Sequence, residues 1–62
     1  MKLLEKLDCI NDLSVKVKII DKYVNKVIYY GSSGKIPYSI IRYFIYCDSI
    51  EHHYDYLQIT VY

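Results

Sequence analysis

The chain contains no alanine and no tryptophan, and its 62 residues include only one proline, two glycines, two cysteines and one arginine. Glycine, proline and serine do not gather into a linker, a repeat or a low-complexity segment, so the sequence predicts a single domain. No apolar stretch approaches the ~18 residues of a membrane-spanning helix. With two cysteines, the chain also lacks the two short ligand clusters that a structural zinc site usually requires.

The start of the chain does not predict a secretory signal, because Glu5, Lys6 and Asp8 interrupt the apolar segment that such a signal needs. We therefore expect a cytoplasmic protein in which Cys9 and Cys47 stay reduced and mostly buried. A domain of roughly 60 residues buries only about 60% of its unfolded surface. With no disulfide to reinforce so small a core, we expect a homo-oligomer, such as a dimer, that associates through a sheet edge or an exposed aromatic face.

Six segments of the sequence predict regular structure, and five of them are helix 2–10 and the four strands. Residues 2–10 place leucine and isoleucine at helical spacing, which predicts a short amphipathic helix. Residues 14–20 and 56–62 alternate between apolar and polar side chains, a pattern typical of half-buried antiparallel strands. Residues 26–30 form the predicted return strand of a first hairpin, and residues 44–51 form the predicted first strand of a second hairpin.

The segment 31–35 is the clearest break in the chain, and Pro37 after it suits the first turn of a helix over residues 37–43. The β-branched residues of this segment leave a strand open as an alternative. The sequence also does not decide which face of strand 26–30 points inward, since both are apolar. The order of elements predicts an α+β fold over residues 1–62, a small antiparallel four-stranded sheet with two short helices packed on one face (order α-β-β-α-β-β).

Tyrosine fills nine positions, too many for so small a core to hide, because each hydroxyl needs a hydrogen-bonding partner or water. Codon usage in an AT-rich genome is an alternative explanation for this composition, but it predicts tyrosine at both the polar and the apolar positions of a strand. Tyr56 and Tyr62 lie at the polar positions of the last strand, so we expect them on the open face of the sheet. The predicted partner-binding residues are Tyr30, Tyr56, Tyr62, Lys16 and Lys18.

Charge is unevenly distributed along the chain, although the net charge is only +1. Residues 14–35 carry five lysines and one aspartate, whereas residues 44–62 carry three carboxylates and neither lysine nor arginine. A basic strip of this kind suits an acidic partner, whether protein or phosphate, and solvated strand faces and turns are the alternative explanation. The small net charge argues against a general nucleic-acid binder. Single-stranded nucleic acid, gripped by lysine and tyrosine together, stays an alternative.

The segment 31–35, Gly-Ser-Ser-Gly-Lys, resembles a shortened phosphate-binding loop. A nucleotide-hydrolysis motif needs four residues between its glycines and a hydroxyl residue after the lysine, whereas here two residues intervene and Ile36 follows. Two hypotheses remain for this loop, a flexible turn or a site where Ser32, Ser33 and Lys35 hold a single anion. Such a site would make the chain a small-ligand or nucleotide-sequestering oligomeric module.

His52 and His53 lie near Cys47 and Asp55, and this is the one grouping that could supply zinc ligands or a catalytic thiol. Adjacent histidines in a strand point to opposite sides, so only one could join the others. A single layer of helices on a small sheet should also leave little room for a pocket of ~300 Å³ or more. We therefore predict no metal site, no cofactor and no enzymatic activity.

Four segments follow one another in a recognisable layout: Val17-Lys-Ile-Ile-Asp21, Val27-Ile-Tyr-Tyr-Gly31, Ile36-Pro-Tyr38 and Leu57-Gln-Ile-Thr-Val61. This layout resembles that of small orphan accessory proteins of phages and mobile elements in AT-rich bacteria. Those with assigned roles are similar in kind to anti-CRISPR and other anti-defence inhibitors. The resemblance implies an inhibitor that works in the cytoplasm of a bacterial host cell by binding and blocking a host protein complex. The near-neutral charge departs from strongly acidic inhibitors that mimic DNA.

Overall fold

Two short helices and four strands follow one another in this computed structural model, which describes residues 2–62. A 3₁₀ turn, Ser33–Lys35, precedes the second helix. This architecture confirms the α+β class and the predicted order of elements, and it makes the segment after Pro37 a helix. The elements are α1 (Leu3–Asp8), β1 (Lys16–Asp21), β2 (Lys26–Ser32), α2 (Tyr38–Tyr43), β3 (Cys47–His52) and β4 (Leu57–Val61).

The four strands form one sheet in the order β2-β1-β4-β3. The β1–β2 and β3–β4 pairs are antiparallel, but β1 and β4 run parallel, from the Val17–Leu57 pair to the Asp21–Val61 pair. We predicted a purely antiparallel sheet. The structure differs from that prediction in this one detail, because the observed sheet is mixed. The physical reason is the connection through α2, because a helix between two strands returns the chain to the end where the first strand began. Strand β3 therefore runs parallel to β2, and the turns of the two hairpins lie at opposite ends of the sheet.

The core lies between one face of the sheet and the two helices. Val17, Ile19, Ile59 and Val61 of the two central strands are completely buried. Fully burying a side chain of this size contributes about 1.5–3 kcal/mol each. Both helices lie over the same face, so the other face has no second layer. The remaining buried members of the core are Leu3, Phe44 and Cys47.

The first hairpin turns on a left-handed residue. Asn25 has a φ of 54°, a conformation that asparagine tolerates better than most residues other than glycine. Its N–H donates to the carbonyl of Asp21 at 2.8 Å, and the Asp21 carboxylate accepts the N–H of Tyr23 at 2.9 Å. This pair of bonds closes the four-residue loop and fixes the register between β1 and β2.

A β-bulge in β2 decides which of its side chains face the core. The strand places one extra residue, Ile28, opposite the step between Ile19 and Ile20. As a result Ile28 and Tyr29 both pack against the core. Val27 and Tyr30 point to the other face, where they are 50% and 55% exposed. The ambiguity that the sequence left in this strand is thereby resolved.

Strand β3 begins three residues later than predicted. The N–H of Phe44 still donates to the carbonyl of Ile40 at 3.0 Å, so the last turn of α2 extends to Phe44 and buries its ring. The ladder of β3 starts only at Cys47. No helix within residues 2–62 has the length and apolar character needed to cross a membrane.

Replacing Asn25 with valine should destabilise the protein by about 1–2 kcal/mol, because a β-branched side chain clashes with the backbone in the left-handed conformation. The expected result is a lower midpoint in urea denaturation with an unchanged slope. Asn25→Gly is the matched control and should leave the midpoint nearly unchanged. A valine variant as stable as the parent would contradict the left-handed turn.

Candidate functional site on the open face of the sheet

The alternation of β1 and β4 places every second side chain on the face that no helix covers. We call this surface the open face. In the register of the sheet, Lys18 lies between Tyr30 of β2 and Gln58 of β4, and Gln58 lies opposite Glu51 of β3. The open face is defined by Lys16, Lys18, Ile20, Lys22, Val27, Tyr30, Tyr46, Glu51, His53, Tyr56, Gln58, Thr60 and Tyr62.

One end of the open face carries a first aromatic cluster centred on Tyr56. The ring of His53 stacks on Tyr56 with 4.6 Å between centroids and 15° between planes. The ring of Tyr30 lies 5.9 Å from Tyr56 at a tilt of 59°. The ammonium of Lys18 is 5.2 Å from the Tyr56 centroid, and that of Lys16 is 6.0 Å from the Tyr30 centroid. Such cation–π contacts at exposed sites contribute about 0.5–1 kcal/mol each.

The opposite end of the open face carries a second aromatic cluster. Tyr46 and Tyr62 exchange two backbone hydrogen bonds, of 3.1 and 3.0 Å, and their rings stack with centroids 5.5 Å apart. The ammonium of Lys22 lies 4.9 Å from the Tyr62 centroid and 3.1 Å from the Asp48 carboxylate. The hydrogen bond with Asp48 raises the pKa of Lys22 above its usual value. Lys22 is thus positively charged but already paired.

The two remaining lysines of the open face are not paired in this way. Within residues 2–62, neither Lys16 nor Lys18 forms a salt bridge with a carboxylate. The nearby carboxylate of Glu51 instead accepts a hydrogen bond of 3.1 Å from the Gln58 amide and lies 3.5 Å from the His53 imidazole. The first aromatic cluster therefore presents two ammonium groups that an acidic group from outside the chain could neutralise.

All of the predicted partner-binding side chains lie on the open face, although they are divided between the two clusters. Tyr30 is more than half exposed, whereas Tyr56 and Tyr62 are half-buried by their neighbours. The exposure expected for these last two is therefore only partial. The predicted residues in the first cluster are Lys16, Lys18, Tyr30 and Tyr56, and Tyr62 belongs to the second cluster.

Three residues of the clusters were not predicted from the sequence. Lys22 continues the alternation of β1 by two positions, so extending that pattern past the end of the strand would have found it. No comparable pattern in the sequence places Tyr46 or His53 on the open face. Tyr46 is separated from the regular part of β3 by a bulge between Cys47 and Ser49, and His53 reaches the open face only through the turn before Tyr56.

The loop proposed as an anion contact has another role in the structure. The N–H of Ser33 donates to the carbonyl of Val15 at 2.7 Å, and that of Gly34 donates to the carbonyl of Leu13 at 2.9 Å. These amides are therefore used to hold the segment before β1. Of the proposed anion-binding groups, the side chains of Ser32 and Lys35 have no hydrogen-bond partner within the described residues, while the Ser33 hydroxyl donates to the carbonyl of Asp12 at 3.1 Å.

The residues proposed as alternative zinc ligands or catalytic groups are not brought together. Cys47 begins β3 and His52 ends it, which separates them by roughly 15 Å along the strand. Cys47 faces the core, whereas His53 stacks on Tyr56 on the open face. Within residues 2–62, no three side chains of histidine, cysteine, aspartate or glutamate lie close enough to hold a metal ion.

The two cysteines lie in contrasting environments. Cys47 is buried at 2% exposure, and this burial raises the pKa of its thiol, an effect that the charge of Lys6 partly offsets. Cys9 is exposed, so the prediction that both thiols are buried is wrong for this residue. It follows the last residue of α1 on the solvent side of the helix, where its thiol donates to the carbonyl of Glu5 at 3.4 Å.

A thiol-specific reagent at about pH 8 should modify Cys9 rapidly and Cys47 slowly. The thiolate is the reactive form, and a raised pKa lowers the thiolate fraction at every pH below it, while burial also limits access. The measurement is the rate of modification of the parent and of Cys9→Ser, with urea-unfolded protein as the control in which both thiols react. Equal rates in the folded protein would contradict the assigned environments.

Three grooves on the surface exceed the ~300 Å³ for which the sequence predicted too little room, so that prediction was wrong. The smallest, of about 340 Å³, is lined by Ser39, Arg42 and Tyr43. The first has a volume of about 630 Å³ and lies beside the first aromatic cluster. Its lining includes Lys16, Tyr30 and Tyr56, and also the carboxylates of Asp12 and Asp55. The mixed charge of this lining gives no strong preference for an anion or a cation.

The second groove, of about 450 Å³, lies on the helix side of the sheet beyond the end of α1. Its walls are mainly apolar and include Ile10, Ile50 and Leu57, which are half-buried. It exists because α1 has only six residues and leaves one corner of the sheet uncovered. Exposed Cys9 and His52 lie at this corner.

Comparison with known proteins found no matching family model, no similar curated protein and no similar solved structure. The resemblance to small phage and mobile-element proteins therefore stays a prediction from the sequence. The geometry of the open face, the charges it presents and the grooves beside it are the remaining basis for a function.

Proposed function

We propose that this chain is a non-catalytic interaction protein that binds a protein partner through its open face and blocks the surface that it covers. The observation that carries the proposal is the arrangement of tyrosine rings and lysine ammonium groups, within 6.0 Å of one another, on a sheet face that no helix covers. Tyrosine is enriched at interfaces because it supplies a large contact area and a hydroxyl at low conformational cost.

The charge of the open face favours an acidic partner. Lys16 and Lys18 have no carboxylate within 4 Å in the described part of the chain, so a partner carboxylate would form new pairs without breaking old ones. Such charges mainly increase the association rate and select the partner. Glu51, held by Gln58, would repel a partner placed in the wrong orientation and so add to specificity.

The same contacts disfavour single-stranded nucleic acid, which binds by stacking its bases on aromatic rings. The ring of Tyr56 is already in contact with His53 and with the Lys18 ammonium, so it does not offer free faces to a base. Glu51 and Asp48 also lie near the rings and would repel phosphates. The net charge of +1 adds little general attraction for a polyanion.

The inhibitory role comes from the resemblance to anti-CRISPR-like proteins and from the shape of the surface. A sheet face without a covering helix contacts its target without enclosing it, which suits a protein that acts by occlusion in a bacterial host cell. Such a protein needs only affinity for a host complex and no chemistry of its own.

The alternative function is that of a small-ligand or nucleotide-binding module. The observation that supports it is the first groove. Its volume of about 630 Å³ is large enough for a nucleotide-sized molecule, and Lys16, Tyr30 and His53 line it. Asp12 and Asp55 line it as well, so the charge of an anionic ligand would meet two carboxylates. The protein-binding proposal is better supported because it does not require an anion to approach them.

The double variant Lys16→Glu/Lys18→Glu should lose roughly tenfold or more of the affinity for the partner, because it reverses the charge that faces an acidic surface. Lys26→Glu/Lys35→Glu is the matched control, with the same change in net charge at exposed positions outside the open face. The tagged chain captures proteins from a nuclease-treated bacterial lysate, and purified candidates are then titrated against each variant. Equal loss in both variants would contradict the open face as the binding site.

A single-stranded oligothymidylate should bind weakly, with an affinity that barely changes with salt. Fluorescence anisotropy over roughly 50–200 mM salt is the measurement, because phosphate contacts lose affinity steeply in this range. Tight binding that falls steeply with salt, and that Tyr30→Ser weakens, would replace the protein partner by a nucleic acid.

A further inference from the structure

The sheet has two edges, and the edge at β3 is protected. A bulge at Asp48 interrupts its regular backbone, and Glu51 places a second carboxylate along it. The segment before α1 also covers its beginning, since Lys2 forms a bridge with Tyr46 and the N–H of Leu3 donates to the carbonyl of Ile45 at 2.8 Å. Charges, bulges and covering segments are the features by which natural edge strands avoid pairing with another chain.

The edge at β2 has much less protection. The only charged residue in the strand is Lys26 at the hairpin end, and its bulge at Ile28 lies next to that end. The segment 29–32 is regular and uncharged. β2 has seven residues and spans about 23 Å, close to the 26 Å of the longest dimension of the molecule. The regular, uncharged part of this edge, residues 29–32, is therefore about 13 Å long.

The hydrogen bonds of the ladder show which backbone groups of β2 point outward. The N–H of Ser33 donates to the carbonyl of Val15, directed toward β1. Because the direction alternates along an antiparallel strand, Tyr30 and Ser32 direct their N–H and C=O groups away from β1. The outward carbonyl of Ser32 accepts a 2.7 Å bond from the Tyr29 hydroxyl, but its second lone pair is free.

We propose that two copies of this chain pair their β2 strands antiparallel, around a two-fold axis beside Tyr30. In this register each Tyr30 N–H donates to the carbonyl of Tyr30 of the second copy. Ser32 lies opposite Ile28 of the second copy, and Lys26 falls outside the paired segment, so no like charges meet. The outward backbone N–H and C=O groups of β2 are arranged around Tyr30, so the same edge of a second copy, turned by 180°, matches them. Such self-complementarity is the requirement for a closed two-fold dimer.

The dimer would join the two open faces into one continuous surface. A single open face is only four strands wide. Pairing at β2 doubles this surface and brings the two first aromatic clusters together across the axis. The proposed dimer does not depend on the proposed function, because it follows from the backbone of β2 alone.

Ser32→Pro tests the dimer with little effect on the monomer. Ser32 has a φ of −70°, which matches proline, and its outward N–H takes no part in the pairing with β1. Light scattering after size-exclusion chromatography should give twice the 7.4 kDa chain mass for the parent and for Ser32→Ala. In Ser32→Pro the dissociation constant should rise roughly thirtyfold or more, because two intermolecular hydrogen bonds are lost.

Amide hydrogen exchange on the parent protein provides a second measurement that needs no variant. The N–H groups of Tyr30 and Ser32 should exchange slowly in concentrated solution and rapidly in dilute solution, whereas the Ser33 N–H should be unaffected by concentration. The fold of Ser32→Pro is checked by its melting temperature, which should be at least equal to that of the parent protein in dilute solution. A parent that stays monomeric when concentrated, a dimer that survives Ser32→Pro, or a Tyr30 amide that never becomes protected would each overturn the proposal.

Discussion

The parallel pairing of β1 with β4 is the interaction on which the rest of the structure depends. It brings together Val17, Ile19, Ile59 and Val61, the four residues of the central strands that are completely buried. Because successive side chains of a strand point to opposite faces, this burial forces their neighbours in sequence onto the other side. The positions of the lysines and tyrosines on the open face are therefore a consequence of the core.

The chain is too short to cover both faces of its sheet, and the open face compensates with contacts within its own plane. Rings stack on rings, as Tyr46 does on Tyr62, and ammonium groups lie over ring faces, as Lys18 does over Tyr56. Each of these contacts contributes on the order of 1 kcal/mol, so they order the side chains without burying them. A surface that is ordered before binding loses less conformational entropy when a partner arrives, which favours affinity.

The sequence predicted what is encoded locally and missed what depends on distant contacts. The strict alternation of residues 14–20 and 56–62 was enough to predict the class of fold and the face on which Tyr56 and Tyr62 lie. The parallel pairing of the two central strands depends on how α2 returns the chain, which no local pattern records. The bulge at Ile28 likewise arises from the pairing with β1, and it places Ile28 and Tyr29, which are neighbours in sequence, on the same side against the core.

The small size of the domain connects the two proposals. A sheet with one covered face gains a binding surface, but that surface is limited by a width of four strands, and the two outer strands carry unpaired backbone groups. Acidic side chains and the N-terminal segment occupy the edge at β3, which leaves β2 as the side where the sheet can grow. Tyr30 lies on this strand with its ring on the open face and its backbone directed outward. The residue that contributes most exposed ring surface to the first aromatic cluster is thus also the one on which a second copy would be centred.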